Sequence, residues 1–233
     1  GKTIKDVVIR AIARFCSTSL RTEFITGSQS MIPIASEYYG IQKCSIQPIF
    51  NGIDIDRFAY KKPSNESSPI IIMVGTLSKP KGQALAIEPF MTVLKSFPMA
   101  KLFIVGDGED FEVIRGQVLS HNLEEHIILL GQRKDVPELL SQADILWHFS
   151  ESEAMPLTVL EAMASGVPIV GFDVRGTRDA ALNDLNGYLV PYGDLEGAAR
   201  ATLVLLNNSD EMLNMSLASR DRVEHYFSIK SMI

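Results

Sequence analysis

From Pro69 onward, short continuous runs of β-branched and other apolar residues recur at a steady interval, each followed by a stretch with helical spacing. A strand that is apolar at every position has to be covered on both faces, and a parallel sheet sandwiched between helices does this. Strands are expected at Ile70–Val74, Lys101–Val105, His126–Leu130, Asp144–Phe149, Pro168–Phe172 and Tyr188–Val190. Helices are expected near 82–96, 109–121, 134–142, 156–165 and 177–184, with a long one from about Leu195 that runs on through Ser231-Met232-Ile233. Six strands with intervening helices make a doubly wound α/β domain over residues 70–233.

The first 60 residues differ. A basic helix, a strand at Glu23–Thr26, a helix at about Gln29–Tyr39 and a strand at Ser45–Ile49 are too few for an independent sheet. They read as the tail of another α/β domain, so the chain is expected to be a piece of a longer protein. Residues 61–69, polar and bounded by Pro63 and Pro69, read as the linker.

Composition excludes several classes. The net charge of −6 argues against non-specific nucleic-acid binding. No apolar run reaches the ~18–20 residues a membrane-spanning helix needs, and the start lacks the apolar core of a signal peptide. Two cysteines, Cys16 and Cys44, build neither a disulfide framework nor a metal cluster, so a reducing cytoplasm is the expected location. The charge is uneven. Lys2, Lys5, Arg10, Arg14 and Arg21 against Asp6 give residues 1–21 a balance of +4, leaving −10 for the remainder. Ile4, Val7, Val8, Ala11, Ile12 and Phe15 recur there at helical spacing. The favoured reading is a surface helix docking this stripe on a neighbouring sheet; the alternative is a helix lying on an anionic membrane.

In open parallel sheets, ligands sit beyond the carboxyl ends of the strands, and three such loops are chemically unusual. The first runs Gly75-Thr76-Leu77-Ser78-Lys79-Pro80-Lys81-Gly82. Its glycines permit a tight turn, and Lys81 stands just before a helix start, where an ammonium and free amides can meet a phosphate. Read alone, Lys81 is more readily a solvated loop lysine. The second loop runs from Ser150 through Glu153, Ala154, Met155, Pro156, Leu157 and Thr158 into a helix that is apolar nearly all round except at Glu161. Such a helix is normally buried, and a buried carboxylate needs a partner or a proton. Helical side chains lean toward the N-terminus. Glu161 can therefore accept from vicinal hydroxyls, as on a ribose, while the amides near Met155–Thr158 bind a diphosphate. Pairing of Glu161 with an arginine is the competing, structural reading. The third loop, Gly131-Gln132-Arg133-Lys134-Asp135-Val136, is open between bordering a ligand and being an ordinary strand end.

Other motifs carry less. Gly106-Asp107-Gly108 lacks the third glycine of a dinucleotide fingerprint. Asp54-Ile55-Asp56 reads as a turn rather than a metal site, and four scattered histidines give no zinc site.

Taken in order, these segments resemble retaining glycosyltransferase family 4, whose members have the GT-B fold of two facing Rossmann-like domains. The resemblance runs over about residues 30–233. It is carried by Asn51-Gly52-Ile53-Asp54 with Arg57-Phe58, by Val74-Gly75 with Leu77 and Lys81-Gly82, and by Val105-Gly106-Asp107-Gly108 and Leu130-Gly131. Glu153 and Glu161, continued by Ala162-Met163-Ala164 and Gly166-Val167-Pro168, reproduce the family's Glu-x7-Glu pattern; Asn186-Gly187-Tyr188-Leu189-Val190-Pro191 with Gly193-Asp194 matches its later loop.

The resemblance implies a sugar transfer from a UDP- or GDP-linked donor to a polysaccharide or lipid-linked acceptor, with retention of configuration and without a metal or other cofactor. Residues 1–60 would then be the end of the acceptor domain, whose contact with the inner face of a membrane is a further expectation. Lys81 would hold the β-phosphate, Glu161 the ribose, and Glu153 with the backbone of Ala154–Thr158 the sugar and phosphates. Gly75 and Thr76 would border the diphosphate and Arg133 the base. Thr76 stands where the family usually has arginine, a loss that Lys79 is placed in sequence to compensate. Without most of the acceptor domain the chain is expected to bind donor and transfer nothing. Two other classes stay open: a degenerate paralogue that binds a sugar nucleotide or a protein partner without turnover, and another enzyme on the scaffold, such as a sugar-nucleotide epimerase or a phosphorylase.

Overall fold

The computed structural model describes residues 4–19, 22–63 and 68–231. Two parallel sheets are present. The smaller pairs β1 (Phe24–Thr26) with β2 (Ile46–Pro48), flanked by helices α1 (Ile4–Ser19) and α2 (Ile32–Tyr39). Ala13, Ile32, Ile41 and Ile46 form its small core.

The larger sheet contains β3 (Ile70–Val74), β4 (Lys101–Val105), β5 (Ile127–Gly131), β6 (Ile145–His148), β7 (Ile169–Phe172) and β8 (Gly187–Val190). Their spatial order is β5-β4-β3-β6-β7-β8, all parallel. The order reverses between β3 and β6, the position where the loops after neighbouring strands diverge and leave a crevice. The remaining helices are α3 (Ile87–Ser96), α4 (Phe111–Ser120), α5 (Val136–Leu140), α6 (Leu157–Ala164), α7 (Arg175–Ala180), α8 (Leu195–Asn207) and α9 (Ser209–Tyr226).

Alternation along each strand divides the interior into two cores. Ile71, Met73, Leu102, Ile104, Ile145 and Trp147 point to the side covered by α3, α4 and α8. Ile72, Val105, Leu146 and Ile169 point to the side of α5, α6 and α9. Trp147 is anchored by its indole N–H, which donates to Thr202 Oγ1 at 2.8 Å, and its ring stacks on Phe149, which stacks in turn on Phe172.

The six expected strands are all present, and several expected helices are redrawn. The helix expected at 82–96 begins as a 3-10 turn at Gln83–Ala86 and becomes α-helical only at Ile87, because Gly82 turns the chain through a left-handed conformation (φ 73°). The helix expected at 177–184 lies earlier, at Arg175–Ala180. The long helix from Leu195 is two helices broken at Asn208, whose side chain accepts from Glu211 N and caps α9. Nor does a helix continue to the end: α9 stops at Tyr226, and Ile229–Ser231 is a 3-10 turn. Met232 and Ile233 lie outside the described residues.

The segment between the sheets is docked on the larger one. Ile53 N donates to Phe227 O at 2.8 Å, and Ile229 N returns a bond to Ile53 O at 3.0 Å. Ile53 and Phe58 are buried in the α6–α9 core. Arg220 donates to Phe58 O and Ala164 O, and Lys61 N donates to Ser165 O. Asp54 accepts from Asp56 N at 3.2 Å, so the acidic pair is a turn that starts the 3-10 helix Ile55–Arg57.

Helix α1 does not dock the expected stripe. Val8, Ile12 and Phe15 are exposed, and the helix packs instead through Ala13. Arg10 donates to the Glu37 and Tyr38 carbonyls, which fixes that roll of the helix against the end of α2. The side chains of Ile4 and Val7, and residues Lys2 and Arg21, lie outside the described ones. No described helix is long and apolar enough to cross a membrane.

Candidate functional site

The loops after β3 and β6 meet over the order reversal. They enclose a cavity of about 290 Å³ lined by Gly75, Thr76, Lys81, Gln83, His148, Ser150, Glu153 and the start of α6 from Met155 to Thr158, among others. Gly82 makes this arrangement possible: a Cβ there would stand 2.2 Å from the Phe149 carbonyl oxygen. The first loop thus lies directly on the end of β6, and Lys81 is delivered over the cavity. Behind it, the Gly106-Asp107-Gly108 segment packs backbone to backbone on the first loop. A Cβ at Gly106 would meet Gly75 O at 1.8 Å, so these glycines serve close packing of two loops.

Lys81 and Glu153, 72 residues apart, form the charged centre of the cavity. Lys81 Nζ donates to Glu153 Oε1 at 2.6 Å, with the lysine side chain 38% exposed and the carboxylate 11%. Helix α6 aims its N-terminus at the same space. Val159 N and Leu160 N bond back to Pro156 O, whereas the amides of Leu157 and Thr158, at the first two positions, have no intrahelical acceptor. A cation and the free end of a helix are together suited to an anion.

Glu161 stands further along α6, on a helix whose Val159, Leu160, Ala162, Met163 and Ala164 are fully buried. Burial pushes its carboxyl above the ordinary range, and the charge of Arg57 pulls the other way. Among the described residues it makes no ion pair within 4.0 Å, so the arginine lock that competed with a ligand-binding role is absent. Glu161 does not itself line the cavity.

A second cavity, about 260 Å³, adjoins the first across Val74, Gly75 and Thr76 and is bordered by Gly106, Asp107, Gln132, Arg133 and Val136. Arg133 is exposed there and grips Asp135 through two hydrogen bonds, at 2.8 and 2.6 Å, which hold the Asp135 carboxyl below its usual range. Thr76 is exposed between the cavities, and its carbonyl accepts from Gln83 Nε2 at 3.1 Å. Lys79 lines neither cavity, so it does not take the place of the absent arginine.

Sequence reasoning missed two lining residues, Gln83 and His148. Each had a signal. Gln83 opens a helical segment directly after the loop glycine, and His148 is the polar residue in an otherwise apolar central strand. Burial lowers the His148 pKa to about 4, with Glu153 raising it and Lys81 lowering it, so the ring is neutral at pH 7.

Residues 54–222 match the family described as glycosyl transferases group 1. The chain belongs to this family. Among curated relatives it is 31% identical over 197 residues to N-acetyl-alpha-D-glucosaminyl L-malate synthase of Bacillus anthracis, covering 81% of this chain and 51% of the relative. It is 28% identical to the Escherichia coli UDP-Gal:alpha-D-GlcNAc-diphosphoundecaprenol alpha-1,3-galactosyltransferase, over 98% of this chain and 62% of the relative. The chain therefore spans about half to three-fifths of the length of these relatives. The fold is that of GT-B glycosyltransferases. Anabaena HepE in complex with UDP and glucose superposes with a TM-score of 0.81 at 20% identity, over 96% of this chain and 64% of that one.

Proposed function

We propose that this group 1 chain is the donor-binding part of a retaining glycosyltransferase. The enzyme would move a hexose from a UDP- or GDP-sugar to a polysaccharide or lipid-linked acceptor without a metal ion. The observation that carries this reading is the convergence of Lys81, Glu153 and the free end of α6 on one cavity at the order reversal of the sheet. The diphosphate takes Lys81 and the Leu157 and Thr158 amides, which stabilise charge as the nucleotide departs. Glu153 faces the transferred sugar, Glu161 accepts from the ribose, and the second cavity takes the base beside Arg133. HepE, with which the fold is shared, binds UDP and glucose, and the two curated relatives are by name an N-acetyl-alpha-D-glucosaminyl L-malate synthase and a galactosyltransferase. Residues 1–60 contribute the end of the acceptor domain, their last stretch from Ile53 docked on the donor-binding sheet, with 61–69 as the linker, and the rest of the acceptor domain supplies acceptor binding and further catalytic groups. The exposed face of α1, with Arg10 and Arg14 nearby, is the part of this chain suited to approach an anionic membrane.

Calorimetric titration of the folded chain with UDP, GDP and ADP tests the reading. Saturable binding of UDP or GDP is expected; binding of none of the three removes it. One observation favours a second reading, a donor-binding paralogue without turnover: Thr76 replaces the family's arginine and, among the described residues, no lysine or arginine besides Lys81 lines the first cavity. Sugar transfer by the full-length protein would eliminate that alternative.

A further inference from the structure

His148 ends β6 beneath the Lys81–Glu153 pair. It is 6% exposed, and its Nε2 is buried without a hydrogen-bond partner. An orphaned buried polar atom is costly and uncommon in native proteins, and here it lines the cavity. β7 lies close against this residue. His148 pairs in register with Gly171 on β7, where a Cβ would stand 3.3 Å from His148 Cβ and 2.6 Å from its carbonyl oxygen. The polar atom facing Nε2 is Glu153 Oε1, at 3.5 Å, just beyond a good hydrogen bond. That same oxygen is held by Lys81 at 2.6 Å.

The donor site and this geometry conflict unless a third group takes part. A diphosphate has only acceptors, so it competes with Glu153 for Lys81. Once Lys81 turns to it, a carboxylate only 11% exposed loses its cation. Such a group needs a new donor. An uncommitted buried nitrogen already stands 3.5 Å from that carboxylate, His148 Nε2.

We propose that His148 is the positioning residue of Glu153: its Nε2–H takes over Glu153 Oε1 when the donor diphosphate draws Lys81 away, and so holds the carboxylate toward the sugar. The assignment rests on the donor-binding reading above. Its neutral state leaves one ring nitrogen protonated, and the carboxylate selects Nε2 for that proton.

The test uses the whole chain and three variants, H148F, H148Q and H148N. Affinities are measured calorimetrically for UDP, GDP, UDP-glucose, UDP-galactose, UDP-N-acetylglucosamine and GDP-mannose, and for UMP and GMP, which lack the β-phosphate that draws on Lys81. Gln carries an amide N–H about as far from the backbone as Nε2, whereas Asn is one methylene shorter. In H148F the preference for the diphosphate ligands over the monophosphates should fall about tenfold, as loss of a hydrogen bond to a charged group predicts. Monophosphate affinity should stay within about twofold, H148Q should restore the preference, and H148N should not. A merely structural role would weaken both ligand types together. An unchanged preference, or parallel loss, overturns the proposal. In the free protein, imidazole ¹⁵N resonances should place the proton of His148 on Nε2 at pH 7, and an Nδ1–H tautomer overturns it equally. Should the unaltered chain bind no nucleotide, the donor-binding reading fails, and the ligand-free tautomer measurement still decides the position of the proton that the proposal requires.

Discussion

The side chains in the cavity and on the helix that opens onto it make different demands on solvent pH. His148 is neutral when folded down to about pH 4, while an unfolded histidine takes up a proton near 6.5. Between those values the unfolded chain binds more protons, so stability is lost as pH falls through the window. At ~1.4 kcal/mol per unit, the full span amounts to about 3 kcal/mol. Lys81 and Glu153 are the charged groups facing the ring, and they act in opposite directions. His148→Gln should therefore show a shallower decline of Tm between pH 6.5 and 4 than the parent, and parallel declines would contradict this assignment. Glu161 behaves in the opposite sense. Its raised value means the folded state prefers the protonated form, so stability falls as pH rises from the ordinary carboxylate range through the folded value. Glu161→Gln should raise Tm at pH 7, with the gain vanishing in acid. It should also weaken UDP or GDP by about ten- to hundred-fold if the ribose is its partner, a readout available from the same titration.

At the level of elements, two local devices shape the site and its support. Gly82 adopts a left-handed conformation against the Phe149 carbonyl. Gly82→Ala should cost at least about 1–2 kcal/mol for backbone conformation alone, with the clash added. The more telling result is loss of nucleotide binding, since Lys81 moves with the loop; binding retained at parental affinity would show that the loop is not positioned this way. Asn208 caps α9, and Asn208→Ala should lower stability by about 1 kcal/mol, seen as a Tm drop of roughly 2–4 °C. The strands were legible because each is a closed apolar run needing cover on two faces. Glu161 was legible because one carboxylate stood in an oily helix. The break at Asn208 was not read, although Asn208 with Glu211 three positions on is a capping signature, because apolar spacing continues across it. His148 and Gln83 escaped notice for a related reason. A polar residue inside a buried segment acquires meaning only from the way a loop folds back on it, here bringing Glu153 and Thr76 onto side chains a few residues away. The roll of α1 depended on Arg10 finding carbonyls at the end of α2, which periodicity alone does not contain.

For the molecule as a whole, the docked segment 53–61 decides where the chain can be divided. Ile53 and Phe58 fill the α6–α9 core, and Tyr60 lies over Gly166, where a Cβ would meet its ring at 2.5 Å. A chain beginning at Asn51 should keep the larger sheet with a Tm within a few degrees of the parent. One beginning at Pro69 forfeits two buried apolar side chains at about 1.5–3 kcal/mol each, and should melt several degrees lower or fail to fold. Equal stability of the two truncations would show that the docked segment contributes nothing. The ion pair at the cavity has an effect at this scale too. A protein of net charge −6 in which Lys81, the one cationic side chain lining that cavity among the described residues, is already matched by a carboxylate exerts little pull on small anions in general. Orthophosphate offers Lys81 only an exchange of one oxyanion for another, whereas a sugar nucleotide adds the contacts of its sugar, ribose and base. Before it binds donor, the pocket should thus ignore the phosphate background of its surroundings. Thermal protection by excess orthophosphate matching that of a sugar nucleotide would contradict this self-masking.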